Sequence, residues 1–293
     1  MRALVTGAGG FVGGHLATRL ISDGWHVHGT VRPGRPAPPG VEAVPVNLAD
    51  DAATSDAVRA ANPDVVFLLA AARAHATAAE RATTHAVNAT SVGWVLSALA
   101  DRCRAVVRLG SSTEYGAAAK PMGESTPGEP RGFFGATKAA GTDRLLAVQH
   151  PRTVVLRAFQ VYGPNDHPHR LVPTAIRAAR TGATLSLTAP GFCRDWVYVD
   201  DVVEACVRAA MADHLPSGQV LNIGTGRQAA NEDLVALLAR VIGRPIHTDV
   251  GAHPGCEWDT HSWVCDPYRA RELLGWEAKV ALDEGLRRCW DAA

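Results

Sequence analysis

Apolar positions along this chain fall into short unbroken blocks separated by stretches with a helical period. The first block, 3–6, is followed at once by Phe11, Val12, Leu16, Leu20 and Ile21, spaced to share one face of a helix. Further blocks predict strands at 25–31, 43–46, 65–69, 105–109, 153–156 and 220–223, and helical periods predict helices over 87–99 and 134–148. Strands without polar alternation are those buried on both faces. The pattern therefore predicts an α/β protein with a doubly wound parallel sheet, right-handed crossovers, and a ligand beyond the carboxyl ends of the strands. After Tyr162-Gly163-Pro164 proline and glycine become frequent and the helices are separated by irregular stretches, although 266–290 is again mostly helical. This predicts a first domain over 1–165, also receiving about 195–223, and a smaller interleaved substrate-binding lobe over 166–194 and 224–293.

The junction of the first strand and helix carries chemistry. It reads Gly7-Ala8-Gly9-Gly10-Phe11-Val12-Gly13, with Gly7, Gly10 and Gly13 spaced three apart. The first glycine permits a tight turn, the second a close backbone approach to a pyrophosphate, and the third close packing of helix on strand. The helix N-terminus offers free N–H groups and the positive end of its dipole. Strand, glycine turn and helix in this order predict a Rossmann-type dinucleotide site.

Composition narrows the class. The 293 residues are 47% hydrophobic and 20% charged with a formal net charge of zero, which fits a globular protein with no general attraction to nucleic acid or to an anionic membrane. No apolar run approaches a membrane span, and the first strand begins too early for a signal peptide. The six cysteines form no C-x-x-C pair, so a cytoplasmic protein with reduced thiols is expected. His253, Cys256, His261 and Cys265 are of metal-ligand type, but their spacing matches no zinc pattern, and no metal is expected.

Further motifs follow in order: Leu69-Ala70-Ala71, Gly110-Ser111-Ser112-Thr113-Glu114-Tyr115-Gly116, Lys138-Ala139-Ala140, Arg157-Ala158-Phe159-Gln160-Val161-Tyr162-Gly163-Pro164, Arg194-Asp195-Trp196-Val197-Tyr198-Val199-Asp200-Asp201, Asn222-Ile223-Gly224-Thr225-Gly226 and Leu273-Leu274-Gly275-Trp276. Together they resemble the extended short-chain dehydrogenase/reductases, in particular the nucleotide-sugar epimerases, dehydratases and 4-keto-reductases. The resemblance spans nearly the whole chain.

That resemblance implies a catalytic Ser or Thr, a Tyr, and a Lys four residues after the Tyr. A phenol with a pKa of about 10 is a poor base at neutral pH, and a lysine one helical turn on lowers it. Lys138 matches the lysine, and it would also hold the nicotinamide ribose. Ser111 matches the hydroxyl, with Ser112 the second choice. The position four before Lys138 is Phe134. Three readings stay open: a deliberate substitution that traps ligand, a natural variant in which another group or water moves the proton, and a retired catalyst that only binds. Without the phenol, binding with slow turnover is expected.

The resemblance also frames the cofactor. NAD-preferring relatives end the second strand with an acid. Here Thr30-Val31-Arg32-Pro33-Gly34-Arg35 has none, and Arg32, Arg35 and Thr30 are expected to meet a 2′-phosphate, favouring NADP(H) over NAD(H). Asn47 and Leu48 would frame the adenine. Leu69, Ala70 and Ala71 would let the cofactor lie against the fourth strand, and Asn88 occupies a cofactor-proximal position. Ser112-Thr113 stands where dehydratases hold an acid pair, which tilts the reading to an NADP(H)-dependent 4-keto-6-deoxysugar reductase, with a 4-epimerase or a non-catalytic regulator as alternatives. Thr113, Gln160 and Arg194 would contact the nucleotide-sugar substrate, Arg194 at its diphosphate. The stretch 257–265 lacks the arginine common in the family. A homodimer is expected through helices 87–100 and 134–148, with Val92, Trp94, Val95 and Leu96 as its apolar surface.

Overall fold

A computed structural model describes residues 1–293 except 73–75, 117, 119, 150, 257 and 258. The predicted α/β architecture is present. Strand β1 (Arg2–Thr6) pairs in parallel with β2 (His26–Val31) and β4 (Val65–Leu68); β2 pairs with β3 (Glu42–Pro45), and β4 with β5 (Ala105–Ser111). With β6 (Arg152–Ala158) and the strand Gln219–Ile223, the seven-stranded order is Gln219–Ile223, β6, β5, β4, β1, β2, β3. The order reverses between β1 and β4, where a doubly wound sheet opens a crevice at its carboxyl ends.

Helix α1 (Phe11–Ser22) follows β1 directly. The sequence pattern does not announce α2 (Asp51–Ala61), which is alanine-rich; its start is set by Asp50, whose carboxylate accepts the Ala53 N–H at 3.0 Å, and its end by Asn62 at φ 40°. The helix expected over 87–99 begins earlier and is not uniform. It runs as α3 (Arg81–His85), a π-helical segment Ala86–Thr90, and α4 (Ser91–Ser97). Helix α5 spans Gly132–Leu146.

One core joins sheet and helices. Leu4, Val66, Leu68, Val106 and Val155 meet Val58 and Ala61 of α2, Val92 and Val95 of α4, and Leu145 of α5. Burying each large aliphatic side chain contributes about 1.5–3 kcal/mol. Val92 and Val95, expected on a partner-facing surface, are therefore core residues, whereas Trp94 and Leu96 are half-buried.

The chain divides into two compact units: Met1–Gly116, Pro127–Arg157 and Val203–Leu221 form one; Ala117–Thr126, Ala158–Val202 and Asn222–Ala293 form the other. The second unit contains helices Leu171–Thr181, Asn231–Ile242 and Leu282–Asp291, and short paired strands such as Gln160–Tyr162 with Trp196–Tyr198. Gly285 lets the last of these helices pack on Tyr162, since a Cβ there would lie 2.1 Å from the Tyr162 hydroxyl. Among the described residues no helix is long and apolar enough to cross a membrane.

Candidate active site

The glycine turn is dictated by contact. Gly7 takes φ +73°, and a Cβ there would sit 2.8 Å from Ala70 Cα; a Cβ on Gly13 would sit 2.1 Å from the Gly7 carbonyl oxygen. Gly10 caps α1 without a side chain, so no side-chain oxygen covers the helix N-terminus beside Phe11 and Val12. Such a terminus suits a pyrophosphate.

Two threonines lock this end of the sheet: Thr6, to which the sequence drew no attention, and Thr30. Thr6 Oγ1 donates to the Phe67 carbonyl (3.3 Å) and accepts the N–H groups of Leu69 (3.1 Å) and Ala70 (3.2 Å). Thr30 Oγ1 accepts the Gly7 N–H at 2.9 Å. Thr30 is buried, so its hydroxyl is engaged with the turn and is not offered to a 2′-phosphate, contrary to expectation. Arg32 and Arg35 are exposed beyond the end of β2. Asn47 Oδ1 accepts the Ala49 N–H at 3.1 Å, forming an Asx-type turn next to Leu48. Leu69 is buried, Ala70 half-buried and Ala71 exposed. Asn88 is fully buried in the π-helical segment. Its Oδ1 accepts the Ala72 N–H at 2.8 Å and its Nδ2 donates to Thr137 Oγ1 at 3.0 Å, tying the end of β4 to α5.

The loop after β5 presents hydroxyls. Ser111 Oγ and Thr113 Oγ1 lie 2.8 Å apart and both residues are half-buried, whereas Ser112 is buried. That favours Ser111 over Ser112 as the group facing a ligand. Glu114, fully buried, fixes the loop: its carboxylate accepts the Ser111 N–H (2.9 Å), the Thr142 hydroxyl (2.9 Å) and Arg157 Nε (3.0 Å). Gly135 lets α5 approach, because a Cβ there would lie 2.3 Å from the Thr113 carbonyl oxygen.

Phe134 stands on α5 one turn before Lys138, half-buried, with its carbonyl accepting the Thr137 hydroxyl at 2.8 Å. Lys138 is buried, and its Nζ donates to the Leu109 carbonyl at 2.6 Å. Burial and, secondarily, the neighbouring Arg108 pull its pKa down to about 7, against the opposing pull of Glu114. Arg108 is a second buried cation. It donates to the carbonyls of Asn88 (2.8 Å) and Lys138 (3.2 Å), and it occupies space that a Cβ on Gly141 would fill.

In the second unit, Arg194 is buried and paired with Asp259; it also donates to the Cys193 carbonyl at 2.7 Å and lies 5.8 Å over the Trp263 ring. Gln160 is half-buried, its N–H bound to the Asp195 carbonyl at 2.9 Å. Asp195 is wholly occupied in holding the Thr225–Gly226 turn and the Cys265 N–H. Glu257 and Trp258, at the start of the stretch read for a missing arginine, lie outside the described residues. Of the four residues considered as metal ligands, His261 Nδ1 lies 2.9 Å from the Gly191 carbonyl oxygen and the Cys265 thiol is buried.

Comparison with known proteins places this geometry. Residues 3–224 match the sequence model of the NAD dependent epimerase/dehydratase family. The chain is 31% identical to a UDP-glucose 4-epimerase from Mycolicibacterium smegmatis, over 98% of this chain and 97% of that one. It is 32% identical to a dTDP-6-deoxy-L-talose 4-dehydrogenase (NAD(P)(+)) from Kitasatospora kifunensis, over 99% and 95%. The solved structure of MoeE5 with UDP-glucose and NAD superposes with a TM-score of 0.90 at 30% identity, covering 99% of this chain and 98% of that one. Further solved epimerase complexes with NAD match it as well.

These findings correct the cofactor and the reaction. The expected NADP(H) gives way to NAD, the dinucleotide held by the solved relatives. The physical reason is that Thr30 is committed to Gly7, which leaves only the exposed Arg32 and Arg35, and a guanidinium can stack on adenine without a 2′-phosphate. The expected 4-keto-6-deoxysugar reductase is overturned in favour of the alternative reading, since several relatives that match over nearly the whole chain are 4-epimerases. The expected loss of the catalytic tyrosine at Phe134 is corrected as well, since nothing in the comparisons shows an inactivated chain. Tyr162 stands intact in a buried aromatic cluster with Trp196 and Tyr198, its hydroxyl 3.4 Å from the Leu282 carbonyl. Burial raises its pKa far above the usual phenol value.

Proposed function

The chain belongs to the NAD dependent epimerase/dehydratase family, and we propose that it interconverts the C4 epimers of a nucleotide-linked hexose, with NAD retained through the cycle. The observation that carries this reading is the open glycine-turn terminus of α1 in the same unit as Lys138 and the Ser111–Thr113 hydroxyl pair. Gly7, Gly10, Phe11, Val12 and Gly13 would hold the pyrophosphate, and their geometry fits it: side chains at Gly7 and Gly13 would collide with backbone, and no side-chain hydrogen bond caps the helix. Arg32, Arg35, Asn47 and Leu48 would frame the adenosine. Leu69, Ala70, Ala71 and Asn88 would border the nicotinamide half, and Lys138 would hold its ribose. When bound, NAD supplies a reversible hydride acceptor for C4.

The chain's own residues handle the proton. Ser111 and Thr113 share one hydrogen bond, so either oxygen can face the C4 hydroxyl while the other takes the pairing proton. Lys138, partly neutral near pH 7 and anchored on Leu109 two residues before Ser111, takes up the proton and returns it. Phe134 contributes an apolar ring one turn before it. Thr113 would contact the sugar. Arg194 grips the diphosphate by exchanging Asp259 for it.

Two further elements belong to this reading. The half-buried Trp94 and Leu96 of α4, with α5, form a homodimer surface; a light-scattering mass near 31 kDa at micromolar concentration would overturn that. All six cysteines are unpaired, which supports a cytoplasmic setting, to be checked by fractionation. The activity itself is tested by incubating the chain with NAD and UDP-glucose or UDP-glucuronate and following the sugar by proton NMR. The C4 epimer should accumulate to equilibrium. Failure with both substrates, alongside NADPH consumption on a 4-keto sugar nucleotide, would overturn the proposal.

A further inference from the structure

A second cluster of chemically capable side chains lies at the opposite end of the sheet from the glycine turn. His26 and His28 stand two apart on β2 and so project from the same face. On the neighbouring edge strand β3, Glu42 is in register with His28. Its two carboxylate oxygens are shared between the histidines: His26 Nε2 lies 3.5 Å from Oε2, and His28 Nδ1 lies 3.6 Å from Oε1. The two imidazole rings are 4.8 Å apart at 70°. One ligand atom from each of the three residues falls within 4.8 Å of the others, and this is the group of metal-ligand type that the fold assembles among the described residues.

These separations can be set against a tetrahedral zinc site. Metal bonds of about 2.0–2.1 Å place neighbouring ligand atoms about 3.3–3.4 Å apart. Each nitrogen–oxygen separation is within a few tenths of an ångström of that edge, but they run to different Glu42 oxygens, so one imidazole must turn toward the oxygen that the other meets. That adjustment falls on His26, whose side chain is 59% exposed, whereas His28 is largely buried. We infer that His26, His28 and Glu42 form a binding site for a zinc-class divalent cation, with water completing the shell.

The chemistry of the donors agrees with the geometry. Two imidazoles and one carboxylate are nitrogen and oxygen donors of the kind zinc takes. Arg2 lies on β1 in register with His26 and sets a cation beside the site, which works against tight binding. The site would act on the fold. Strand β3 is the exposed edge of the sheet, and two donors from β2 with one from β3 would staple it. At their carboxyl ends these two strands lead to Arg32 and Asn47, so the staple lies at the far end of the same pair of strands.

The test uses the full-length, tag-free chain after chelation and dialysis, with Zn²⁺ as the titrant in calorimetry and Co²⁺ as a spectroscopic probe. The expected result is one ion per chain, a tetrahedral Co²⁺ spectrum, and a raised unfolding temperature with Zn²⁺. His26→Ala and Glu42→Gln alter exposed side chains that the fold does not need, and each should weaken binding at least about tenfold. His28→Ala should abolish it, and His253→Ala should leave it unchanged. Absence of saturable binding, or binding that survives both His26→Ala and Glu42→Gln, would overturn the assignment. Neither result bears on epimerase activity.

Discussion

Lys138→Met should stabilise the fold at pH 7 while removing activity. Lys138 is buried, and its surroundings hold its pKa near 7 against an ordinary 10.5. At about 1.4 kcal/mol per pH unit, keeping it neutral at pH 7 costs roughly 5 kcal/mol relative to the charged lysine of the unfolded chain. Methionine fills similar volume without that cost. It does leave the Leu109 carbonyl without its donor, a loss of about 1–3 kcal/mol. The net gain at pH 7 is about 2–4 kcal/mol, or about 5–10 °C in Tm for a chain of this size.

The sign fixes the pH dependence. Because the folded pKa is lowered, the unfolded chain binds more protons between pH 7 and 10.5, so the native protein gains stability as pH rises through that window. At pH 9 the cost of a neutral lysine has fallen to about 2 kcal/mol, and the advantage of the variant should nearly vanish. Calorimetric unfolding of both proteins at pH 7 and pH 9 measures this directly. A variant less stable than the parent at pH 7, or a difference that does not change with pH, would refute the reasoning.

Gly13→Ala places a Cβ 2.1 Å from the Gly7 carbonyl oxygen, so α1 must shift off its turn; NAD affinity measured by calorimetry should fall at least about tenfold, and an unchanged Kd would show that the turn does not hold the pyrophosphate. Glu114→Gln leaves Arg157 without its carboxylate and loosens the Ser111–Thr113 loop. It should cost about 3 kcal/mol of stability and lower kcat while NAD affinity is retained, and an unchanged kcat would remove Glu114 from the positioning of the hydroxyls.

The fold and part of the site were legible because their signals are local. The block 3–6, the glycine spacing and the periodic helix lie within some twenty consecutive residues, and Gly10 and Gly13 answer steric needs set by the Gly7 carbonyl in the same turn, although Gly7 itself is constrained by the distant Ala70. Lys138 and Ser111 were legible through motif resemblance. What escaped depends on partners far away in the chain. Thr6 reaches Leu69 and Ala70, Thr30 reaches Gly7, and Glu114 gathers Ser111, Thr142 and Arg157. No period or spacing encodes these contacts. Arg32 misled because a cation after a strand end carries charge but no geometry, and only the inward turn of Thr30 shows that the expected phosphate contacts are incomplete. The cluster of His26, His28 and Glu42 escaped because its carboxylate arrives from the next strand.

The central claim is that hydride leaves C4 and returns to C4 within one bound complex. The most direct measurement is turnover of UDP-glucose carrying deuterium at C4, in the presence of catalytic NAD. The account predicts the C4 epimer with its deuterium retained and no net change in NAD or NADH. Loss of the label to solvent, consumption of cofactor in proportion to product, or absence of the epimer would contradict it.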